Sequence, residues 1–371
     1  MAMDNINKGM ELFRRTFPKR LINARKIKGL SQAQLAEKLG NVVSSTSIEK
    51  YENGIMIPQS TDIIVKLANA LGIPAGDFFR EFRVNVDCGK FEFRKKSRLG
   101  KKKQESIILK IQDRIEKYIE VEQIMQIEPH FDVDLKDIIV DSDDKAREVA
   151  MRLRKEWHLG LGPIPQAIQV LEAHGVKVIE VYEDPTLLDG TSNTIDGIPV
   201  VVINMNNKNL ENPDVERRRF TLFHETGHQI MNIPSEVDDK TKEHLCDVFA
   251  NEMLIPKQTF IKIFGEKRQT ILLGELKNVQ KEFGISIRAL MMKAKQLNVI
   301  SESRHKWFCI NVNKDESLKA FVDRNEYTEV HSTRFEQLVY RALAMEEITI
   351  SKAASLLNKS VDELHNDPNF A

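Results

Sequence analysis

The segment Phe220-Thr221-Leu222-Phe223-His224-Glu225-Thr226-Gly227-His228 decides how the second half of the chain is interpreted. On a helix, residues four apart share a face, so the imidazoles of His224 and His228 can reach one zinc ion. Glu225, beside the first histidine, is placed to take a proton from a zinc-activated water molecule. The pattern therefore predicts a helix that carries a catalytic zinc site, and the alternative is a pair of ordinary, partly buried histidines.

A second candidate helix follows at residues 243–250, close enough in sequence to cross the first. A catalytic zinc uses three protein ligands and keeps a fourth position open. Glu243 and Asp247 are also four apart, and we expect Glu243 to be the third ligand while Asp247 supports an imidazole from outside the ligand set. His244 and Cys246 point away from this helix face and are the rival ligands.

Length and composition limit the class of protein. With 371 residues, of which 41% are hydrophobic, the chain can form two or three domains that each bury a core. The 55 basic and 55 acidic residues balance, so any DNA-binding surface must be a local patch. Three scattered cysteines predict no disulfide framework and fit a reducing cytoplasm. We expect neither a signal peptide nor a membrane-spanning segment.

The N-terminal part of the chain contains a strong helix-start pattern at residues 30–35, Leu-Ser-Gln-Ala-Gln-Leu. Ser31 can cap this helix, and Gln34 stands where a capping box requires Glu or Gln. A second short helix begins after a cap at Ser44, and amphipathic segments follow. These patterns predict an all-α, five-helix domain over residues 18–82.

This domain resembles the lambda-repressor/Cro-like (Xre) helix-turn-helix family. The resemblance rests on Arg25, Ser31-Gln32, Leu35-Ala36, Ile48, Glu52-Asn53-Gly54 and Pro58, and the turn at residues 40–44 is about two residues longer than usual for such motifs. The family match implies a structural ion pair between Arg25 and Glu52. It also implies that the helix at residues 45–51 enters the major groove of double-stranded operator DNA.

The resemblance provides candidate DNA contacts. Gln32 matches a position that contacts a backbone phosphate, and four side chains of the second helix face outward. The candidate DNA-binding residues are Gln32, Ser45, Thr46, Glu49 and Lys50. Ser45 and Thr46 are equally compatible with a solvated helix start. Because this class usually reads two half-sites, we expect a homodimer.

Two further segments lie between and after these motifs. The basic run Arg94–Lys103 can contact DNA phosphates or serve as a solvated linker. The helical pattern from Gln104 to about Ile127 can pack on the catalytic domain or form a dimer seam. In the last part of the chain we expect a strand at Trp307–Val312 and helices at Arg334–Met345 and Ile350–Asn358.

Residues 145–297 look like the ImmA/IrrE family of zinc-dependent peptidases. The matching features are Gly190, Pro199–Asn204, Arg217–Leu222, the H-E-x-G-H core, Glu243–Ala250 and Leu254-Ile255-Pro256. The resemblance implies a gluzincin-like α+β core that binds Zn²⁺, with Glu225 as the catalytic residue. Leu245 stands where members often carry a second acidic residue, which favours Glu243 as the ligand.

The resemblances imply a function as well. Some members of the peptidase family cleave a repressor of the same helix-turn-helix type, and fused forms are often thought to act beside a toxin gene. We therefore expect a DNA-binding transcriptional regulator whose metalloendopeptidase domain cleaves a repressor-type protein, or itself, in a stress, prophage or toxin-antitoxin circuit. The alternative is a non-proteolytic repressor or antitoxin, with a cognate toxin as partner and a structural or sensory zinc site.

The expected fold is multidomain, with the helix-turn-helix domain followed by a zincin-like α+β domain and a small α-rich C-terminal region. The expected divisions are an N-terminal lead (1–17), the helix-turn-helix domain (18–82), a basic linker with a long amphipathic helix (83–144), the peptidase domain (145–300) and the C-terminal region (301–371).

Overall fold

A computed structural model describes residues 2–82, 100–128, 130–131, 133–186, 188–195, 197–206, 213–328 and 330–368. Within these residues the chain forms two compact units. The first comprises 2–82, 100–128 and 333–368, and the second comprises the described part of 130–332. No helix in the described part of the chain is long and apolar enough to cross a bilayer.

The N-terminal part of the first unit contains four α-helices and a short 3₁₀ helix. They are α1 (Ala2–Ile27), α2 (Gln32–Lys38), α3 (Ser45–Glu52), α4 (Thr61–Leu71) and the 3₁₀ helix Ala75–Phe79. Helix α1 runs across the division that we expected between residues 17 and 18. Ser31 and Gln34 form the predicted capping box at α2, and Ser44 caps α3.

Apolar side chains from all five helices fill the core of this part. Phe17, Leu21, Leu35, Ile48, Leu67 and Phe78 are fully buried. Arg25 makes a two-pronged contact with Glu52, at 2.5 and 2.8 Å, which is the ion pair that the family resemblance implied. Gly40 and Asn41 both adopt left-handed backbone conformations, with φ of 65° and 57°. These two residues allow the long turn to close between α2 and α3.

The first unit continues with α5 (Lys101–Ile124). This helix corresponds to the one expected from Gln104 to about Ile127, but it begins and ends three residues earlier. The second unit then begins. Its helices are α6 (Asp143–Glu156), α7 (Ala167–Ala173), α8 (Val215–Ile230), α9 (Asp239–Leu254), α10 (Lys257–Phe264), α11 (Leu273–Phe283), α12 (Ile287–Gln296), α13 (Glu302–Lys314) and α14 (Glu316–Asp323). Residues 94–99 of the basic run lie outside the described residues.

A three-stranded sheet lies at the centre of the second unit. Its strands are β1 (Lys177–Val181), β2 (Gly190–Ile195) and β3 (Ile198–Asn204), in the order β1-β3-β2. Strand β3 pairs in parallel with β1 and antiparallel with β2, so β2 lies at an edge of the sheet in the described structure. Helix α8 packs against β2 and β3, and α9 packs against α8. The motif-bearing helix is therefore held between the sheet and a second helix.

The strand that we expected at Trp307–Val312 is wrong, because this segment lies within helix α13. Phe308 and Val312 are buried and are four residues apart, whereas Trp307 and Ile310 are exposed. The segment is rich in aromatic and β-branched residues, which favour strands, but its burial follows the helical period.

The chain returns to the first unit through α15 (Arg334–Ala344), α16 (Ile350–Leu357) and α17 (Val361–His365). Helix α15 packs on α5, and α16 packs on the 3₁₀ helix. The fully buried ammonium of Lys117 donates to Asp77 at 3.4 Å and to Asn358, and it forms an ion pair with Asp113 at 3.0 Å. Ser355 also donates to Asp77. The region that we expected at 301–371 is thus divided between the two units, because these long-range contacts attach its last helices to the first.

Candidate metal centre

Helix α8 presents the two motif histidines on one face. His224 is 1% exposed, and the side chain of His228 is 27% exposed. Gly227 lies between them, and a Cβ there would stand 3.0 Å from the ring of Phe249. The small residue therefore allows α9 to approach α8 closely enough for side chains of both helices to meet.

Three side chains converge at this crossing. The Nε2 atoms of His224 and His228 are 3.1 Å apart. Glu243 of α9 places Oε2 at 3.4 Å from Nε2 of His224, and Oε1 at 3.3 Å from Nε2 of His228. These three residues form the group in the described structure that can hold a metal ion, with their ligand atoms all within 4.8 Å of one another.

Asp247, one turn after Glu243, contacts the other side of the first histidine. Its Oδ1 atom lies 2.8 Å from Nδ1 of His224. A carboxylate only accepts hydrogen bonds, so Nδ1 carries the hydrogen and a neutral His224 presents the lone pair of Nε2 toward His228 and Glu243. Asp247 thereby orients His224 without taking part in the cluster itself.

The rival ligands point elsewhere. His244 places Nε2 2.9 Å from Asp143 at the start of α6. Cys246 is completely buried in the hydrophobic core of the second unit. Neither side chain belongs to the three-residue cluster.

The electrostatics of the cluster favour a positive charge at its centre. Burial disfavours the imidazolium form of His224, but hydrogen bonds to Asp247 and Glu243 outweigh burial and raise the pKa of His224 to about 9. Hydrogen bonds with His224 and His228 hold the pKa of Glu243 well below its usual range. A proton supplies the positive charge when no metal is bound, and a cation can replace it.

Glu225 follows His224 on α8 and lies toward strand β2. Its carboxylate is 5% exposed, and the hydroxyl of Ser192 donates to its Oε2 atom at 2.9 Å. Gly190 allows this close approach, because a Cβ there would stand 2.7 Å from Thr221 and 2.9 Å from the carbonyl of Val202. Ser192 is not among the site residues that the sequence predicts. Its alternation with Gly190 along an edge strand could have indicated it, had that strand been predicted.

The candidate DNA contacts lie in the first unit. Ser45, Thr46, Glu49 and Lys50 are exposed on α3, while Ile48 is buried. Gln32 is half-buried, and its amide donates to Glu52 at 2.7 Å, so it belongs to the polar cluster around the Arg25–Glu52 ion pair. Four of the five candidates thus share an open helix surface.

Two family models match separate parts of the chain. Residues 21–78 match a helix-turn-helix family, and residues 171–295 match a peptidase family described as the IrrE N-terminal-like domain. The chain is therefore a fusion of a helix-turn-helix domain, typical of DNA-binding regulators, with an ImmA/IrrE-like peptidase-family domain. No curated protein and no solved structure matches the chain.

The fold class predicted from the sequence is confirmed. A helical helix-turn-helix domain precedes an α-rich domain with a small three-stranded sheet, which is consistent with an α+β metallopeptidase domain. The second match includes the whole of α8 and α9, and with them the three residues of the cluster.

Proposed function

We propose that the chain is a DNA-binding transcriptional regulator with a zinc-dependent endopeptidase centre at His224, His228 and Glu243. The observation that carries this proposal is the convergence of the three side chains beside Glu225, a buried carboxylate that takes no part in the ligand cluster. A metal site that only stabilises the fold does not require such a carboxylate.

The residues fit zinc. A tetrahedral zinc ion with ligand bonds of about 2.0–2.2 Å separates neighbouring ligand atoms by about 3.3–3.6 Å. The Nε2 atoms of His224 and His228 are 3.1 Å apart, and Glu243 places one oxygen 3.4 Å from the first and its other oxygen 3.3 Å from the second. Two imidazoles and one carboxylate form a ligand set used by catalytic zinc sites, which keep a fourth position for water or substrate.

The proposed reaction is hydrolysis of a peptide bond. When bound, zinc supplies Lewis acidity toward the scissile carbonyl and lowers the pKa of a coordinated water molecule. Glu225 takes a proton from the attacking water and passes it to the leaving nitrogen. Asp247 maintains the orientation of His224 throughout, because its hydrogen bond fixes the position of the ring.

The proposed partners follow from the two domains. The helix-turn-helix domain binds a double-stranded operator as a homodimer, with α3 in the major groove. The peptidase domain acts on a protein, either another repressor-type protein or the chain itself. The fusion supports this substrate class because DNA binding would bring the centre close to other proteins bound at the same DNA.

A second candidate function is non-proteolytic repression, in which the metal site acts as a sensor or a structural element. In this function the chain is a repressor or an antitoxin, and a cognate toxin is the partner of the antitoxin. The discontinuous first unit favours this function. The chain leaves that unit after α5 and returns at α15, so the second unit is joined covalently to the DNA-binding unit at both ends. A structural change on metal binding could be transmitted through either connection.

Cleavage by the zinc-loaded full chain tests the proposal. The chain is incubated alone and with reduced, unfolded casein, and new termini are identified by mass spectrometry. We expect fragments with the wild type and none with Glu225→Gln at unchanged zinc content. Cleavage by Glu225→Gln would contradict the role of Glu225. If the zinc-loaded wild type cleaves neither protein, the result favours the non-proteolytic function.

A further inference from the structure

Strand β2 and helix α8 lie in register beside the candidate centre. Alternate residues of a strand are about 6.7 Å apart, and residues four apart on a helix are about 6 Å apart. The near-equal spacing lets each residue on one side of β2 meet the next turn of α8. The pairs are Gly190 with Thr221 and Glu225, Ser192 with Glu225 and Gln229, and Thr194 with Gln229.

Hydrogen bonds connect these residues in one direction. An ionised Glu225 only accepts, so Ser192 must donate its single hydroxyl hydrogen to it, at 2.9 Å. The Gln229 atom at 2.9 Å from the Ser192 oxygen must then be the donor Nε2. The amide oxygen of Gln229 in turn accepts from the Thr194 hydroxyl, at 2.8 Å. Each donor in this series therefore points along it toward Glu225.

The two oxygens of Glu225 are held differently. Ser192 holds Oε2, whereas no side chain or backbone group among the described residues donates to Oε1. A general base needs one oxygen available to accept a proton and a fixed orientation for the group that carries it. The contact with Ser192 provides both, because it anchors the carboxylate by the oxygen that is not used.

We propose that Ser192 is a positioning residue for Glu225, and that Gln229 and Thr194 fix the Ser192 hydroxyl in turn. The inference rests on the proposed peptidase function and extends it to strand β2. The pairing of β2 with β3 at this point, Ser192 opposite Val201, uses the backbone and does not need the hydroxyl. Removal of the hydroxyl should therefore release the carboxylate while the sheet remains paired.

The test compares zinc-loaded full-length Ser192→Ala with the wild type in the cleavage of reduced casein. We expect kcat to fall by about 10- to 100-fold, the scale of a misplaced catalytic group, with little change in KM or zinc content. Ser192→Thr keeps a hydroxyl and should recover most of kcat. Ser303→Ala, which removes an exposed hydroxyl from helix α13 of the same unit, is the matched control and should retain wild-type kcat. A loss expressed only in KM, or an equal loss in Ser192→Thr, would overturn the inference.

A second measurement does not depend on cleavage. Co²⁺ replaces zinc in the full chain, and its visible spectrum reports on the groups around the ion. We expect Ser192→Ala to shift the spectrum in the same direction as Glu225→Gln, because the first releases the carboxylate from its fixed position and the second replaces it with an amide. A wild-type spectrum in Ser192→Ala, with a shifted one in Glu225→Gln, would overturn the positioning role alone. A chain that binds neither Co²⁺ nor zinc would overturn the proposed function and this inference together.

Discussion

The carboxylate of Asp247 lies 2.8 Å from Nδ1 of His224, and this contact determines which ring nitrogen faces the candidate metal centre. Such carboxylate–histidine pairs fix the ring orientation and increase the basicity of the ligand. The side chain of Asp247 is 47% exposed, so it can be changed without opening the core.

Asp247→Asn should weaken zinc binding by about 10- to 100-fold, because the neutral amide orients and polarises His224 less strongly than the carboxylate. Competition with a chromophoric chelator measures the affinity. Asp143→Asn is the control, since Asp143 makes a contact of similar length to His244, outside the cluster. Equal affinity in Asp247→Asn and the wild type would exclude the orienting role.

Lys117→Ala should lower the free energy of unfolding of the first unit by about 3–5 kcal/mol, the usual cost of breaking a buried ion pair. Lys117 is fully buried, and its loss leaves Asp77 and Asp113 without their shared cation. Hydrogen exchange of the α5 amides measures the effect within the full chain. Lys102→Ala, at an exposed position of the same helix, should change stability by less than about 0.5 kcal/mol. Similar protection in the two variants would show that the buried network contributes little.

Asp113 predicts how the first unit responds to acid. Burial disfavours its charged form, but the charges of Lys117 and Arg80 outweigh burial and hold the pKa of Asp113 well below its usual range. A depressed pKa in the folded state contributes stability above the unfolded value of about 3.9, and this contribution is lost as the pH falls further. Asp113→Asn should therefore be less stable at pH 7 and should lose less stability between pH 7 and about 3. Parallel stability profiles for the variant and the wild type would contradict this origin of the acid sensitivity.

Thr46→Ala should weaken binding to the preferred DNA sequence by about 1–3 kcal/mol and change the base preference, if α3 enters the major groove. The preferred sequence is first selected from a random library with the full-length chain, and affinities are then measured by fluorescence anisotropy at fixed salt. Thr61→Ala, an exposed threonine in the first turn of α4, is the matched control. Unchanged affinity and preference in Thr46→Ala would remove this residue from the DNA interface.

The motif helix and the third member of the cluster could be predicted from the sequence because both depend on local spacing. His224 and His228 are one turn apart on α8, and Glu243 and Asp247 are one turn apart on α9. Helical periodicity therefore places each pair on one face without knowledge of the fold. The structure brings the two pairs together at the helix crossing, with Glu243 in the cluster and Asp247 outside it.

The contacts that could not be predicted depend on residues far apart in sequence. Ser192 meets Glu225 only because β2 pairs with β3 in one register and Gly190 allows α8 to approach. Likewise, Ser355 reaches Asp77 across 278 residues, which no local pattern indicates. Residue type also gave a wrong prediction at residues 307–312, where strand-forming residue types occupy a helix.

The central claim is that the three converging side chains form a metal centre. The most direct test is the zinc content of the full chain purified without chelator, measured for the wild type and for Glu243→Ala. We expect about one zinc ion per wild-type chain, and loss or strong weakening of binding in the variant at unchanged helical content. A wild-type chain that contains no zinc, even after reconstitution, would contradict the metal centre and leave DNA-binding repression as the function of the chain.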